Sequence, residues 1–472
     1  MAIAGSAPAY TLAATTAVLA AAAGLASPAA LLWCALPMMG IVLAFKYLGR
    51  LDVNAGASYS WVGRALHPGL GFLSGWALVV SATLFMVAGA LPAGSYTLSL
   101  FSDRWAQNGT MAAVVGALWF LLMAGLVVKG ARITARAQWL MTGIEVTVLL
   151  VIAGAVLVRG AGTGVFSWWW LFDVTSLRGP EGFAGVALIA AFYFWGWDVT
   201  ANLSEETSNS RRTSGLGGLL GVVSVLALFE IVTIAVNLVM TQSHIQKHSD
   251  TILADLGDAL WPGWGGKAMV IAVMLSTIAT LETTLIQVTR TLFAMGRDRT
   301  LPAAFGLTHR RWQTPWVAVA AVTVVALILL FASSALGPVS TVLADAFSAI
   351  GLQICFYYSL AGISVVVAYR KLLLKSVANA VFIGLWPLSG ALFMLWVLYQ
   401  SILSLDATVL MIGIGSLALG IFPLSWYMVA DSEYYAPRQA RLDASTAETV
   451  ASRYSDLTAA PHHHHDGRVS DL

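Results

Sequence analysis

Apolar runs of about twenty residues, long enough to cross the hydrocarbon core of a bilayer, recur from the start of the chain to residue 430. With 58% hydrophobic and 10% charged residues, the chain is too poor in charge for a soluble domain, where charged residues make up about a quarter. We therefore predict an all-α polytopic membrane protein with its transmembrane domain at 1–430 and a disordered cytoplasmic tail at 431–472. The twelve predicted transmembrane helices lie near 2–23, 29–48, 70–100, 110–128, 139–158, 182–204, 215–241, 265–290, 315–333, 341–369, 378–400 and 407–430.

Lysine and arginine residues gather on one side of these spans. If the N-terminus is inside, 20 of the 25 basic residues lie in predicted inner segments or the tail. The outer loops hold Arg104, Arg159, Arg178, Lys247 and Lys267. Basic residues are retained on the cytoplasmic side of short loops, so we predict a multi-pass protein of the cell membrane with both termini cytoplasmic. The basic loops then face a lipid bilayer, and the net charge of +2 gives no indication of nucleic-acid binding.

Helix-breaking residues interrupt two predicted spans at corresponding places. The first span contains Gly5, Ser6, Ala7 and Pro8, and the sixth, which runs in the opposite direction, contains Trp195, Gly196, Trp197 and Asp198. Broken helices at matching positions of two halves are typical of inverted-repeat transporters, whose substrate site lies at the break. The alternative is that glycine and proline here only allow close helix packing.

Unwinding a helix in lipid frees backbone groups that then need partners. N–H groups near Gly5 to Ala7 suit a carboxylate, and carbonyl groups near Phe192 to Trp195 suit an ammonium group. The second break is surrounded by aromatic side chains that we predict to shape or close a pocket: Phe192, Tyr193, Phe194, Trp195 and Trp197. The predicted ligand is a zwitterionic or cationic small molecule.

The first span starts directly at Met1, without a polar leader before its break. A signal peptide would show a basic region and then a cleavage site, and this segment shows neither. We expect that the natural start lies upstream or that the first half-helix is very short.

Acidic residues at membrane depth outnumber the basic residues there. They are Glu145, Asp198, Glu230, Glu282 and Asp345. Such groups must be protonated, hydrogen-bonded or facing water, which is what proton coupling requires. We rank Glu145 first and Asp198 second as coupling residues, with Glu282 as a further candidate; the alternative for each is an acid that only fixes helix packing.

A sodium site is a weaker prediction than proton coupling. Ser276 and Thr280 share a helix face near Glu282 and could supply oxygen ligands. Serine and threonine in membrane helices, however, usually bond backbone carbonyls.

Two glutamates follow the sixth span at its cytoplasmic end, where the helix dipole disfavours acids. We predict that Glu205 and Glu206 pair with nearby arginines in an inner gate, and the candidate partners are Arg64, Arg136, Arg211 and Arg212. A solvated helix end is the alternative.

No metal, cofactor or catalytic site is predicted. Cys34 and Cys355 lie inside predicted spans without CxxC spacing and are interpreted as small buried apolar residues. His462 to His465 lie in the tail, and the histidines outside it (His67, His244, His248 and His309) all lie in loops. A membrane enzyme would need a catalytic set at membrane depth, which these histidines do not predict, and a nutrient sensor would need a signalling domain, for which we expect the tail to be too short and too polar.

Four stretches in order along the chain resemble the amino acid–polyamine–organocation permeases. FYFWGWDVTANLSEETSNSRR, from Phe192 to Arg212, resembles the sixth-helix signature, particularly in a branch common in actinobacteria. The other three run from Asp52 to Trp76, from Thr289 to Pro302 and from Asp345 to Gly362. This resemblance implies a bacterial protein with a leucine-transporter-like fold. In that fold, two inverted five-helix repeats, at about 1–160 and about 180–370, precede two extra helices at about 378–430.

The resemblance also implies roles for single residues. Gly5, Ser6 and Ala7 match the first-helix segment that receives a substrate carboxylate, although Ala7 replaces a glycine. Phe192 matches an aromatic gate, and Asp198 matches an acidic residue below the unwound segment. Glu145 stands where many members have a lysine, so a lysine-based proton switch does not transfer.

Together these observations predict a secondary active transporter rather than an enzyme. The leading hypothesis is a proton-coupled amino acid importer that works by alternating access around the broken helices. The alternative is a polyamine or cationic amino acid exchanger, which the excess of buried acids favours. The predicted partners are a small amino acid or amine and the lipid bilayer; no oligomeric state is predicted.

Overall fold

A computed structural model describes residues 1–159, 166–173, 179–248, 251–333, 339–430, 433–435 and 442. Arg178 and most of the predicted tail lie outside the described residues. Within them, all regular secondary structure is helical, which confirms the predicted all-α polytopic fold.

The first half of the chain contains α1 (Ala2–Gly5), α2 (Pro8–Ala23), α3 (Ser27–Leu51), α4 (Ser58–Ala65), α5 (Pro68–Ser99), α6 (Asp103–Ala106), α7 (Gly109–Lys129), α8 (Ala131–Arg159), α9 (Trp169–Phe172), α10 (Gly179–Tyr193) and α11 (Val199–Asn202). The second half contains α12 (Ser210–Val239), α13 (Gln242–Lys247), α14 (Ile252–Leu260), α15 (Gly265–Arg297), α16 (Trp316–Ser333), α17 (Val339–Tyr369), α18 (Val377–Asn379), α19 (Trp386–Ser404), α20 (Ala407–Leu410), α21 (Ser416–Leu419) and α22 (Ile421–Val429).

Ten helical stretches among the described residues are long and apolar enough to cross a membrane. One of these, Ala2–Leu51, contains two long helices, α2 and α3, separated by a short turn at residues 24–26. A shorter apolar helix, 182–193 within α10, lies where the sixth span is predicted. With α2 and α3 counted separately and α10 and α11 taken together, a helical segment corresponds to each of the twelve predicted spans, with ends that differ by up to about eight residues. The division into two five-helix repeats stays a prediction.

The first span breaks between α1 and α2 because of Pro8. Proline has no N–H to continue the helical ladder, and it is well accommodated at the first position of a new helix. It also disfavours the right-handed helical conformation in the residue before it. Ala7 accordingly adopts a left-handed conformation with φ 46° and ψ 59°, which costs an alanine about 1 kcal/mol.

The sixth span breaks between α10 and α11. The helical hydrogen bonds of α10 stop after the bond from the N–H of Phe194 to the carbonyl of Ala190. Gly196 then turns the chain with φ 87°, a conformation that glycine adopts readily. The chain returns to helix at Val199.

Helix α15 lies at the centre of the molecule. In its most apolar window 78% of the residues are buried, against 17% for the last span, 407–429. It packs against α2, α5, α7 and α8, while α10 packs against α2, α3 and α17. The two broken spans are therefore surrounded by other helices, and the last span lies at the periphery.

Candidate functional site

The two breaks touch each other through their backbones. A Cβ atom added to Gly5 would clash with the carbonyl oxygen of Gly196, and one added to Gly196 would clash with the carbonyl oxygen of Gly5. Both positions therefore require glycine for the observed approach. The first and sixth spans thus meet at their breaks, and every residue from 192 to 199 is buried there.

The N–H groups of the first break have acceptors within the chain. Gly5 donates to the carbonyl of Met1 at 2.8 Å, and Ser6 and Ala7 donate to carbonyls of α1 at 3.2 Å each. The expectation of free N–H groups at these residues is wrong, because one turn of α1 is enough to supply their acceptors. Whether these residues contact a substrate stays a prediction.

Glu145 on α8 accepts a hydrogen bond at the N-terminus of α2, the positive end of that helix. Its Oε1 accepts the N–H of Ala9 at 2.8 Å and the hydroxyl of Ser276 at 2.6 Å. The hydroxyl oxygen of Ser276 accepts the N–H of Tyr10 at 3.2 Å. Since Pro8 has no N–H and Thr11 donates to the carbonyl of Ala7, the two remaining N–H groups in the first turn of α2 are both bound by side chains. A carboxylate at a helix N-terminus is stabilised by the helix dipole.

The two hydroxyls considered for a sodium site both act as donors. Ser276 donates to Glu145, and the hydroxyl of Thr280 lies 2.8 Å from the carbonyl oxygens of Ala4 and Ser276. The predicted bonding of hydroxyls to backbone carbonyls is therefore present at Thr280. Sodium binding stays a prediction, weaker than proton coupling.

Asp198 lies at the second break and is fully buried. Its Oδ2 accepts the hydroxyl of Tyr357 on α17 at 2.9 Å, and the same hydroxyl accepts the indole N–H of Trp195 at 2.7 Å. Its Oδ1 is buried and receives no hydrogen bond within normal limits from the described residues, although the side chains of Gln287 and Tyr358 lie close to Asp198. Asp198 thus keeps an open acceptor beside the break.

Five aromatic rings form one cluster at the breaks. Phe192 and Trp195 come from the second break, and they meet Tyr10 from α2, Phe85 from α5 and Phe347 from α17. Ring centroids lie between 4.6 Å, for Phe192 and Phe347, and 6.4 Å, for Phe192 and Trp195. Aromatic faces attract cations, so this aromatic cluster provides surfaces that favour an ammonium group.

The other three predicted aromatics point elsewhere. Tyr193 packs edge-on against Phe229 on α12, at 4.9 Å between centroids, and Phe194 packs against the same ring. Trp197 packs against Phe45 on α3. These three side chains hold the broken span against α3 and α12, and Phe192 and Trp195 alone of the five join the aromatic cluster.

Two further acids lie inside the molecule. Glu282 is buried on α15, and its Oε2 accepts the amide N–H of Gln138 at 2.6 Å, while its Oε1 has no partner among the described residues. Both carboxylate oxygens of Glu230 on α12 are buried without a described partner. Asp345 is half-buried on α17.

The glutamates after the second break pair with arginines at the end of α15. Glu205 binds Arg297 through two hydrogen bonds of 3.0 Å and also accepts the N–H of Ala55 at 2.8 Å. Glu206 binds Arg290, whose side chain is only 2% exposed, at 2.8 Å. These contacts join the sixth span, α15 and the loop before α4, and we call them the inner network.

The predicted pairing of these glutamates with other arginines is wrong. Arg64 on α4 binds Asp52, in the loop before α4, at 2.8 Å, and Arg136, Arg211 and Arg212 are exposed. Arg290 and Arg297 are two helical turns apart on α15, so both reach the end of the sixth span. The role of these residues as an inner gate stays a prediction.

A model of a family described as amino acid permease matches residues 1–424. The chain belongs to the amino acid permease family. The resemblance noted for the four sequence stretches is thereby confirmed. The permease family also agrees with the expectation of a non-enzymatic role.

The names of several relatives of this permease state different substrates. The vacuolar cationic amino acid transporter 4 of Arabidopsis thaliana is 25% identical over 59% of this chain and 48% of its own length. The serine/threonine exchanger SteT of Bacillus subtilis is 23% identical over 62% and 65%. The low-affinity putrescine importer PlaP of Escherichia coli is 24% identical over 64% and 66%. The matched part spans from about half to about two thirds of these relatives.

Several residues of the permease site were not predicted from the sequence. Tyr10, Phe85 and Phe347 lie in three different spans, and no local pattern links them. Arg290 and Arg297 had a usable signal, because they recur at a spacing of seven residues in the stretch from Thr289 to Pro302. That spacing places two cations on one helix face opposite two neighbouring acids.

Proposed function

We propose that this chain is a secondary active transporter of small organic amines in the cell membrane, driven by protons. The substrate binds where α1, α2, α10 and α11 meet, and access alternates between the two sides of the membrane. The buried state of residues 192 to 199 corresponds to a closed site in this scheme. Movement of the broken helices opens it.

The observation that carries this proposal is the imbalance of hydrogen-bonding groups at the breaks. The N–H groups of Gly5, Ser6, Ala7 and Ala9 already have acceptors. Asp198 has a buried oxygen to which no described group donates within normal hydrogen-bond limits, and the side chains of Gln287 and Tyr358 lie nearby. A buried acceptor without a partner costs free energy, and a ligand that donates hydrogen bonds removes that cost. An ammonium group supplies such donors, and the aromatic cluster beside it accommodates the charge.

Glu145 adds a reason for a substrate without a carboxylate. The positive end of a half-helix is the natural binding place for a substrate carboxylate. In this chain a side-chain carboxylate already accepts the N–H of Ala9 there. An amine is thus preferred over a zwitterion.

Proton coupling is supported by the balance of buried charges. Glu145, Asp198 and Glu282 are fully buried acids, whereas Arg290 is the one buried lysine or arginine among the described residues. Arg290 forms a salt bridge with Glu206. Three acids without basic partners are groups that can take up and release protons during a transport cycle.

Import of an amino acid is the second candidate. The observation in its favour is that Glu145 accepts the N–H of Ala9 through only one of its two carboxylate oxygens. If the carboxyl group turned away on protonation, the N–H of Ala9 would be free for a substrate carboxylate. Proton uptake and amino acid binding would then be linked.

Uptake into proteoliposomes tests both candidates. Labelled diamines, monoamines, and neutral and cationic amino acids are compared with and without a pH gradient. We expect saturable, gradient-driven uptake of amines and weaker uptake of zwitterions. Uptake of neutral amino acids in preference to every amine would contradict the first candidate and support the second. A lack of gradient dependence would contradict proton coupling.

A further inference from the structure

A second group of polar side chains lies outside the two breaks, in the segment between α12 and α15. His244 is on α13, His248 follows α13 directly, and Asp255 is on α14. Each offers one ligand atom, and the three atoms lie within 4.8 Å of one another. The Nε2 atom of His244 lies 2.8 Å from an oxygen of Asp255. The transport site and the inner network use none of these residues.

The geometry points to a binding site for a divalent transition-metal ion such as zinc, formed by His244, His248 and Asp255. Zinc binds histidine nitrogen and aspartate oxygen at about 2.0 to 2.2 Å, so ligand atoms in a tetrahedral site lie roughly 3.4 Å apart. Small side-chain rotations bring the three atoms to such separations. Water completes the coordination. Imidazole ligands favour zinc, copper and nickel over magnesium and calcium.

Hydrogen bonds already orient two of the three ligands. The Nδ1 atom of His248 lies 3.2 Å from the carbonyl oxygen of His244. A carbonyl oxygen can only accept, so Nδ1 carries the proton and Nε2 keeps the lone pair that a metal needs. The hydroxyl of Thr251 donates to Asp255 at 3.2 Å. Bonds of this kind to ligating side chains are typical of protein metal sites.

The helices that carry the ligands are anchored in the molecule. Ile245 on α13 and Ile252, Leu253 and Leu256 on α14 are buried. Helix α13 packs against α2, and α14 packs against α15 and α8. An ion held by all three side chains would therefore join the segment next to α2 with the segment next to α15. Binding should raise the thermal stability of the protein.

Calorimetric titration with zinc chloride tests this site. The full chain in detergent should have His462 to His465 replaced by serine, because four consecutive histidines bind divalent metals themselves. We expect one ion per chain with micromolar affinity and a higher melting temperature with zinc. His244→Ala combined with His248→Ala should weaken binding about 100-fold or more. The control His309→Ala, whose ring stacks on Trp312 outside the cluster, should leave the affinity unchanged.

Two results would overturn the assignment. One is an absence of saturable zinc binding below about 100 μM, where the free energy of binding is too small for a specific site. The other is equal affinity in the parent and the double variant. If the double variant does not fold, His248→Gln provides the same comparison, because this side chain is exposed and its replacement leaves the core untouched.

Discussion

The carboxylate of Glu145 on α8 accepts a hydrogen bond from the backbone N–H of Ala9 at a distance of 2.8 Å. This bond connects the unbroken helix α8 to α2, the second half of the broken first span. Glu145→Gln keeps an oxygen that can accept the N–H but removes the ionisable group. We expect pH-driven accumulation to disappear while counterflow of labelled substrate continues. Proteoliposome transport measures both, and unchanged accumulation would remove Glu145 from the coupling role.

Glu145→Ala tests the selectivity role of the same residue. The change leaves the N–H of Ala9 without its acceptor, which costs about 1 to 3 kcal/mol when the group stays buried. A substrate carboxylate can then take the place of the missing side chain. We expect neutral amino acids to become competitors of amine uptake in this variant, although they compete poorly in Glu145→Gln. Equal competition in the two variants would argue against the idea that the Glu145 side chain occupies the place of a substrate carboxylate.

Gly196→Ala should disrupt the contact between the breaks. The new Cβ meets the carbonyl of Gly5, and the φ of 87° is unfavourable for alanine. Overpacking of this kind costs about 1 to 3 kcal/mol, so we expect a lower melting temperature and loss of transport. Gly154→Ala on α8 is the matched control, since nothing lies within 4 Å of its Cβ position. Similar losses in both variants would show that the contact is unimportant.

The two pairs of the inner network should differ in stability. Arg290 is buried, so Glu206→Gln leaves an uncompensated buried charge and should cost about 3 kcal/mol or more. The pair of Glu205 and Arg297 is about one third exposed on both sides, and Glu205→Gln should cost about 1 kcal/mol or less. Melting curves followed by tryptophan fluorescence compare them. Equal shifts would contradict the burial argument.

Local sequence patterns predicted the fold well because membrane crossing imposes a strong length and polarity requirement on every span. The break at Pro8 and the break at Gly196 were predictable for a similar reason, since both residues limit backbone conformation locally. The matching positions of the two breaks followed from the repeated pattern of the two halves. These features depend on nearby residues or on a repeated pattern.

The partners of the site residues were not predictable in the same way. Asp198 was identified, but its bond to Tyr357 depends on how α17 packs against the sixth span. Glu205 and Glu206 were identified, but the nearest arginines in sequence were not their partners. Arg290 and Arg297 reach them because α15 passes the end of the broken span. Long-range packing decides such pairs, and single-sequence patterns do not encode it.

The most direct test of the account is equilibrium binding of a labelled diamine to wild-type protein and to Asp198→Asn. We predict binding to the wild type and affinity about 10- to 100-fold lower in the variant, because a charge-assisted hydrogen bond is lost. Glu230→Gln, another acid inside a span, is the matched control and should bind normally. Equal diamine affinity in the wild type and Asp198→Asn would contradict the proposed site.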